Sequence, residues 1–191
     1  MIIFLDFDGV LHADAVVKPA KKPIELRAPG QLMMHSQILE DILEPFDISI
    51  VLSTSWVRSL GFSKTLKKMS PTLADRVIGA TWHSEMVDKT VYPYASGQYV
   101  ADPFNHWSRF QQIENYVVRN KVENWLAIDD LHSGHEIEKW PLDVRHKLVL
   151  TDGSKGLSCE KTQQELINKM SNLTLKNSLP VSTIISFTEP K

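Results

Sequence analysis

The chain has 191 residues, of which 42% are hydrophobic and 23% charged; this predicts one ordinary globular domain and excludes a disordered, collagen-like or coiled-coil protein. Its 21 basic and 23 acidic residues give a net charge of −2, which does not favour binding of duplex nucleic acid through overall positive charge. Cys159 is its single cysteine, and no apolar run reaches the ~18 residues of a membrane span, so we expect a cytoplasmic protein with no membrane contact.

The first half of the chain alternates predicted strands and helices. Met1–Leu5 is a short apolar run that ends in carboxylates, as a buried strand of a parallel sheet does. Residues 12–30 are rich in prolines and lysines, which predicts a loop or a two-stranded flap rather than a helix. Apolar spacing then predicts a helix over 32–43, a strand over 48–52, helices over 63–69 and from Pro71, and a strand over 76–82.

The second half continues the alternation. Residues 83–106 show no period and predict an irregular insertion, and the following apolar positions predict a helix up to Val122. Strands over 125–128 and 146–150, a helix over 161–170 and a C-terminal tail over 176–191 complete the chain. We therefore predict a single α/β domain over 1–175, with a doubly wound, Rossmann-like parallel sheet and helices on both faces.

Two predicted strands end in pairs of carboxylates. Asp6 and Asp8 follow the first strand, and Asp129 and Asp130 follow the strand over 125–128. Because the carboxyl ends of parallel strands meet at one crevice, these four side chains should gather there, where a cation would relieve their repulsion. Carboxylate oxygens are the ligands that Mg²⁺ prefers, so the sequence predicts a magnesium site that could also hold a carboxylate nucleophile.

The segments that carry these residues resemble the motifs of the haloacid dehalogenase (HAD) superfamily, in the same order. DFDGV resembles motif I, IVLSTS motif II and AIDD motif IV, and Arg109 stands where the motif III cation is expected. Together with the later segment TDGSKGLS, they are similar to the HAD domain of Swiss Army Knife RNA-repair proteins. The resemblance covers roughly residues 1–170 and implies a HAD-like fold with a minimal cap, formed by the flap alone.

The resemblance also implies catalytic roles. Asp6 would be the nucleophile that forms an aspartyl-phosphate, and it would bind Mg²⁺ together with Asp129 and the backbone carbonyl of Asp8. The Asp8 side chain would be the general acid and base. Arg109 would neutralise charge on the phosphoryl group, with Lys64 or Arg58 as alternatives.

Candidate substrate contacts follow from the same motifs. Thr54 aligns best with the motif II hydroxyl that binds the phosphoryl oxygens, although Ser53 is one position away and strand alternation points only one of them into the site. Asp130 is expected as an outer or second metal ligand and substrate contact, and Gly9 permits the tight turn after motif I. The remaining candidate substrate contacts are Ser55 and Arg58.

These assignments predict a Mg²⁺-dependent phosphatase. Since only a flap and a short insertion could cover the cleft, the analogy with capped relatives favours a large phosphorylated substrate, such as an RNA end or a nucleotide. Two alternatives stay open: a small-molecule phosphatase of the same mechanism, and a non-catalytic module that binds phosphate or nucleic acid on the HAD fold.

Overall fold

The computed structural model describes residues 1–19, 22–86, 104, 106–131 and 137–178. Within these ranges the strands are β1 (Ile2–Leu5), β2 (Val16–Val17), β3 (Glu25–Leu26), β4 (Ser49–Leu52), β5 (Val77–Ala80), β6 (Trp125–Asp129) and β7 (Leu148–Leu150). The helices are α1 (Ser36–Leu43), α2 (Ser55–Leu60), α3 (Phe62–Leu66), α4 (Pro71–Asp75), α5 (Arg109–Asn120) and α6 (Glu160–Ser178). Most of the predicted insertion over 83–106, and the predicted tail beyond residue 178, lie outside the described residues.

Five of these strands form one parallel sheet in the order β5-β4-β1-β6-β7. Leu5 of β1 lies opposite Leu52 of β4 and Ile128 of β6, so the three central strands end level with one another. Along the chain, β4 and β5 are added on one side of β1, and β6 and β7 are then added on its other side. The direction in which strands are added therefore reverses between β1 and β6. Ligands bind at such a switch in open parallel sheets, outside the carboxyl ends of the strands.

Helices cover both faces of the sheet because successive side chains of each strand point to opposite faces. Ile3 and Leu5 pack into one core with apolar residues of α1, α2 and α6. Phe4 faces a second core, which includes Phe110 and Ile113 of α5. The two buried layers confirm the predicted doubly wound α/β fold.

Four helices differ from their predicted bounds. The helix predicted up to Val122 ends at Asn120, because Lys121 adopts a left-handed backbone with φ of 51°. The helix predicted over 32–43 begins only at Ser36, because Met33 adopts a left-handed backbone with φ of 62° that no helix continues through. The helix predicted over 63–69 covers Phe62–Leu66, and the helix predicted over 161–170 runs on to Ser178, three residues into the predicted tail.

The remaining differences concern one unpredicted helix and the bounds of two strands. The helix α2 was not predicted, because the β-branched residues of β4 lead directly into the first turn of α2. The strand predicted over 76–82 is shorter, Val77–Ala80. The strand predicted over 146–150 begins only at Leu148, since residues 145–147 form a 3₁₀ turn.

The segment after β1 forms a two-stranded flap, one of the two arrangements predicted for residues 12–30. β2 and β3 pair antiparallel, with Val16 opposite Leu26 and Val17 opposite Glu25. The main chain fixes the base of this flap, since Asp14 donates its N–H to the carbonyl of Gly153 at 2.7 Å. None of the described helices combines the length and the apolar character needed to cross a bilayer.

Candidate active site

Two buried carboxylates lie side by side where the winding of the sheet switches. Asp6 follows β1 and donates its N–H to the carbonyl of Ile128 at 3.1 Å, which continues the ladder between β1 and β6. Asp129 ends β6, and strand alternation places it on the same face as Asp6. Both residues are at most 5% exposed. The sheet register alone therefore brings together the carboxylates that the sequence predicted to meet.

Arg109 forms ion pairs with both of these carboxylates. Its Nη2 lies 3.0 Å from Oδ2 of Asp6, and its Nε lies 2.6 Å from Oδ2 of Asp129. Burial opposes the charge on the guanidinium, but Asp129 and Asp6 outweigh that effect and raise the pKa of Arg109. The predicted motif III cation is thus held, fully charged, between the predicted nucleophile and the predicted metal ligand.

The start of α5 determines where Arg109 lies. Ser108 accepts the N–H of Gln111 at 3.3 Å, and the Gln111 side chain accepts the N–H of Ser108 at 2.8 Å, which together make a capping box. Gln112, one turn along the helix, accepts a hydrogen bond from Nη1 of Arg109 at 3.0 Å. The Gln112 amide in turn donates to the carbonyl of Trp107 at 3.3 Å. Gln112 was not predicted, although its i, i+3 spacing from Arg109 is a signal that sequence reasoning can use.

A negative charge on Asp6 is unfavourable in this pocket. Burial raises its pKa well above the usual range, and the negative charges of Asp129 and Asp8 act in the same direction. Arg109 and the Phe7 N–H, which donates to Oδ1 of Asp6 at 2.8 Å, oppose the rise without cancelling it. One guanidinium therefore does not balance the group of carboxylates, and a further positive charge would be bound favourably.

Three carboxylates are placed to hold such a charge. Oxygen atoms of Asp6, Asp129 and Asp130 lie within 4.8 Å of one another. A compact set of hard oxygen ligands fits Mg²⁺, which takes a few carboxylates and keeps some of its waters. Asp130, predicted as an outer or second ligand, stands within this set, whereas the side chain of Asp8 does not.

Gly9 and Gly153 leave the space that the Asp130 carboxylate occupies. A Cβ atom on Gly9 would lie 2.2 Å from Oδ2 of Asp130, and a Cβ on Gly153 would lie 2.7 Å from the same atom. Gly9 also has a φ of 68°, and its carbonyl accepts a hydrogen bond from Oγ1 of Thr151 at 2.7 Å. Gly9 thus permits the predicted tight turn and, in addition, the position of Asp130. Gly153 and Thr151 were not predicted individually.

Two buried rings hold the Asp8 carboxylate. The indole Nε1–H of Trp56 reaches both of its oxygens, at 3.1 Å to Oδ1 and 2.9 Å to Oδ2. Nε2 of His12 lies 3.0 Å from Oδ1, while Nδ1 of His12 accepts the Met33 N–H at 3.3 Å. Since Nδ1 accepts, the neutral ring carries its proton on Nε2 and donates it to Asp8. The left-handed backbone at Met33, which shortens α1, belongs to this arrangement.

The motif II segment brings Ser53 and Thr54 to the end of β4, both 1% exposed. Oγ1 of Thr54 accepts the Trp56 N–H at 3.4 Å and so caps the start of α2. Strand alternation places Ser53 on the face of Asp6 and Asp129, and its buried Oγ has no hydrogen-bond partner among the described residues. The assignment of the phosphoryl ligand to Thr54 rather than Ser53 stays a prediction.

The other predicted contacts are less enclosed. Ser55 and Arg58 are exposed on α2, and Lys64 is exposed on α3. Of the three candidates for the motif III cation, Arg109 is the one whose ion pairs reach Asp6 and Asp129. The roles assigned to Ser55, Arg58 and Lys64 stay predictions.

A cleft of about 660 Å³ opens beside Asp130. The base of the flap forms one wall, through Ala13–Ala15 and Ala28–Pro29, and the loop after β7 forms the other, through Gly153 and Ser154. Asp130 lines this cleft, so the cleft opens beside one of the three candidate metal ligands.

Comparison with known proteins identifies one family. The model of the HAD domain in Swiss Army Knife RNA-repair proteins matches residues 2–162, most of the chain. Searches of curated proteins and of solved structures found no match. The matched range includes every residue of the site described above.

Proposed function

The chain belongs to the family of HAD domains found in Swiss Army Knife RNA-repair proteins, and from this we propose that it is a Mg²⁺-dependent phosphohydrolase that removes a phosphate from a nucleic-acid end. The observation that carries the proposal is the buried group formed by Asp6, Arg109 and Asp129, with Asp130 beside it. This group combines a carboxylate nucleophile, a fixed cation for phosphoryl charge and a set of oxygen ligands for a metal.

In the first step Asp6 attacks the substrate. A carboxylate oxygen of Asp6 forms a bond to phosphorus while the bond from phosphorus to the leaving oxygen breaks, which gives an aspartyl-phosphate. Nη2 of Arg109 lies 3.0 Å from Oδ2 of Asp6. The guanidinium is therefore already in position to stabilise the negative charge that develops on the phosphoryl oxygens. Its second ion pair, to Asp129, keeps the guanidinium in place throughout.

Asp8 transfers the protons of the reaction. As a general acid it protonates the leaving oxygen, and as a base it then takes a proton from the water that attacks the aspartyl-phosphate. That attack breaks the bond from phosphorus to Asp6, so both carboxyl groups return to their starting state. Because the Trp56 N–H reaches both oxygens of Asp8, one oxygen can carry the proton while the other accepts the hydrogen bond.

A magnesium ion would be held by the side chains of Asp6, Asp129 and Asp130 and by the backbone carbonyl of Asp8. When bound, it would supply positive charge that screens the carboxylates from the incoming phosphate. The raised pKa of Asp6 supports this requirement, since a buried nucleophile must lose its proton to attack.

Two features support a nucleic-acid end as the substrate. The matched family model is described by its occurrence in RNA-repair proteins. The flap beside the cleft is small, with strands of only two residues each.

The test is phosphate release from 12-nucleotide single strands with a 3′- or a 5′-phosphate, from mononucleotides and from 4-nitrophenyl phosphate, with Mg²⁺ or with EDTA. We expect Mg²⁺-dependent turnover, with the highest kcat/KM on an oligonucleotide end. Asp6→Asn should lower kcat by at least about 10³-fold. Asp41→Asn is the matched control, because Asp41 is exposed on α1 and accepts a hydrogen bond from Gln37.

The outcomes separate the competing functions. A higher kcat/KM on mononucleotides than on oligonucleotide ends would assign the chain to small-molecule phosphatases instead. Oligonucleotide binding without turnover of any substrate would make it a binding module. Full activity of Asp6→Asn would overturn the mechanism.

A further inference from the structure

A cleft lined by four lysines lies between the flap and α3. It has a volume of about 340 Å³. The lysines on its walls, which define what we call the lysine cleft, are Lys22, Lys64, Lys67 and Lys68. All four are exposed. The other described residues of the lining are Pro23, Ile24 and Leu60, so these walls are otherwise apolar and no carboxylate is among the described lining residues.

Local structure gathers the lysines on one side. The side chains of α3 and of the turn that follows it are partly buried and partly exposed. Thr65 and Met69 are buried, whereas the three lysines of this segment are exposed to solvent. Positions 64, 67 and 68 share one face of a helical turn, as residues three and four apart do. The flap then brings Lys22 to the opposite wall.

The charge of this cleft is unusual for the chain. The protein as a whole carries −2, yet four lysines meet here, and none of the lining residues that the structure describes is acidic. Like charges on neighbouring side chains repel one another, and a bound anion relieves that repulsion. The cleft therefore matches a ligand with several negative charges.

The chemistry of the lining favours a phosphodiester chain over a single anion. Lysines are mobile point charges that suit a row of phosphates, whereas a single phosphate is better held by fixed donors such as arginine or backbone N–H groups. The apolar residues of the lining can contact sugars. Within the described part of the chain no aromatic side chain lines the cleft for base stacking, and lysine contacts to phosphates bind the backbone irrespective of sequence.

The lysine cleft is linked to the catalytic group through α2. Leu60 ends this helix and lines the cleft, while Trp56, one turn earlier, donates to Asp8. At a rise of about 1.5 Å per residue, the two positions are ~6 Å apart along the helix. Lys18 of the flap also donates to the carbonyl of Ser59, which ties the flap to the same turn.

We propose that the lysine cleft binds the phosphodiester backbone of a single-stranded nucleic acid, a few nucleotides from the end that is processed at Asp6. This rests on the proposed function for the choice of substrate end, but not for the binding itself. The cleft would hold the strand in place and thereby select polymers over mononucleotides.

The experiment measures binding of a fluorescein-labelled 12-nucleotide RNA without terminal phosphates, by fluorescence anisotropy, over a range of salt concentrations. Lys22→Gln/Lys68→Gln removes one charge from each wall. Lys121→Gln/Lys161→Gln removes the same charge from exposed positions outside the cleft and is the matched control. Thermal unfolding of each variant verifies that it is folded.

We expect the cleft variant to bind about tenfold more weakly than wild type at ~0.1 M salt. The slope of log K against log salt should fall by about 1.4, the loss of two single-strand phosphate contacts. Equal affinities of the cleft and control variants, or no binding by the wild type, would overturn the proposal. Displacement of the RNA by poly-glutamate at equal charge concentration would also overturn it, in favour of an acidic protein partner.

The same assay keeps this proposal separate from the catalytic one. Asp6→Asn should bind the unphosphorylated RNA as tightly as wild type, because its substitution leaves the lysines unchanged. An inactive wild type that still binds RNA through the cleft would overturn only the proposed reaction. An active wild type whose RNA affinity does not depend on Lys22 and Lys68 would overturn only the proposal that the lysine cleft binds RNA.

Discussion

The indole N–H of Trp56 donates to both carboxylate oxygens of Asp8, at 3.1 and 2.9 Å. The ring itself is 2% exposed and packs edge-on against Phe7, with ring centroids 5.6 Å apart. The side chain of Trp56 thus packs in the hydrophobic core and also contacts the proposed general acid, Asp8. This contact connects motif I to α2, and it makes the orientation of Asp8 depend on the packing of the core.

The first prediction concerns this hydrogen bond. Trp56→Phe keeps an aromatic ring in the core but removes the N–H, so Asp8 should lose its fixed orientation. We expect kcat to fall by ~10- to 100-fold, in line with the ~1.5–3 kcal/mol of a hydrogen bond to a charged group, with little change in KM. Trp125→Phe is the control, since Trp125 packs in the second core. An unchanged kcat in Trp56→Phe would show that Asp8 is positioned without Trp56.

The second prediction concerns His12. His12→Leu has a similar volume but cannot donate to Asp8 or accept the Met33 N–H. We expect kcat to fall by at least about tenfold and the free energy of unfolding to fall by ~1–3 kcal/mol, since a buried backbone N–H loses its partner. The double variant with Trp56→Phe should be less impaired than the product of the two single effects, because both act on the same carboxylate. Strictly multiplicative effects would contradict a shared role.

The sequence alone predicts the carboxylate cluster because its geometry is set by strand register. Asp6 and Asp129 directly follow apolar strands, and parallel pairing of these strands leaves little freedom in where the two residues meet. Motif order places Arg109 in the same site, where it forms ion pairs with Asp6 and Asp129; its role as the motif III cation stays a prediction.

Other parts of the site depend on tertiary packing that periodicity does not encode. His12 and Trp56 lie 44 positions apart in the sequence, and only the fold shows that both rings meet at Asp8. The left-handed backbone of Met33 carries no sequence signal, since a methionine rarely adopts it. The lysine cleft likewise needs the flap and α3 to be placed together.

The third prediction separates Thr54 from Ser53 as the phosphoryl ligand. Strand alternation places Ser53 on the face of Asp6, whereas the motif alignment favours Thr54. The Thr54 hydroxyl accepts one hydrogen bond as the cap of α2 and can still donate its own proton to a phosphoryl oxygen. Thr54→Val should lower kcat/KM by ~10²-fold and the free energy of unfolding by about 1 kcal/mol, the usual cost of a lost cap. Ser53→Ala should leave the cap intact and change kcat/KM less. The reverse order of kcat/KM losses would assign the role to Ser53.

The fourth prediction concerns the space beside Asp130. Gly9→Ala places a Cβ where the Asp130 carboxylate lies and forces a φ of 68° on an alanine. We expect a loss of at least ~1–2 kcal/mol in the free energy of unfolding and weaker Mg²⁺ binding, measured by the shift in melting temperature on titration with Mg²⁺. Gly61→Ala has a similarly positive φ of 87° but nothing within 4 Å of its Cβ, so it isolates the backbone contribution. Equal Mg²⁺ affinity in the two variants would contradict the role of Gly9 in placing Asp130.

The last prediction uses the raised pKa of Asp6. A group whose pKa is higher in the folded than in the unfolded state contributes stability below its unfolded pKa, and that contribution is lost as the pH rises through the folded value. At pH 7 without metal, Asp6 either carries its charge in the buried pocket or takes up a proton on folding; both lower stability, so the neutral Asp6→Asn should melt higher than wild type. A gain of about 1 kcal/mol would correspond to ~2–4 °C in a domain of this size.

Two further measurements complete this test. The difference between Asp6→Asn and wild type should shrink as the pH falls towards the ordinary pKa of an aspartate, because the unfolded state then binds the proton of Asp6 as well. Mg²⁺ should raise the melting temperature of the wild type more than that of Asp6→Asn, since the variant has lost a charged ligand. Asp41→Asn, whose carboxylate is exposed, should show neither effect. A lower melting temperature for Asp6→Asn than for wild type in EDTA would mean that the ion pair with Arg109 outweighs the burial of the charge.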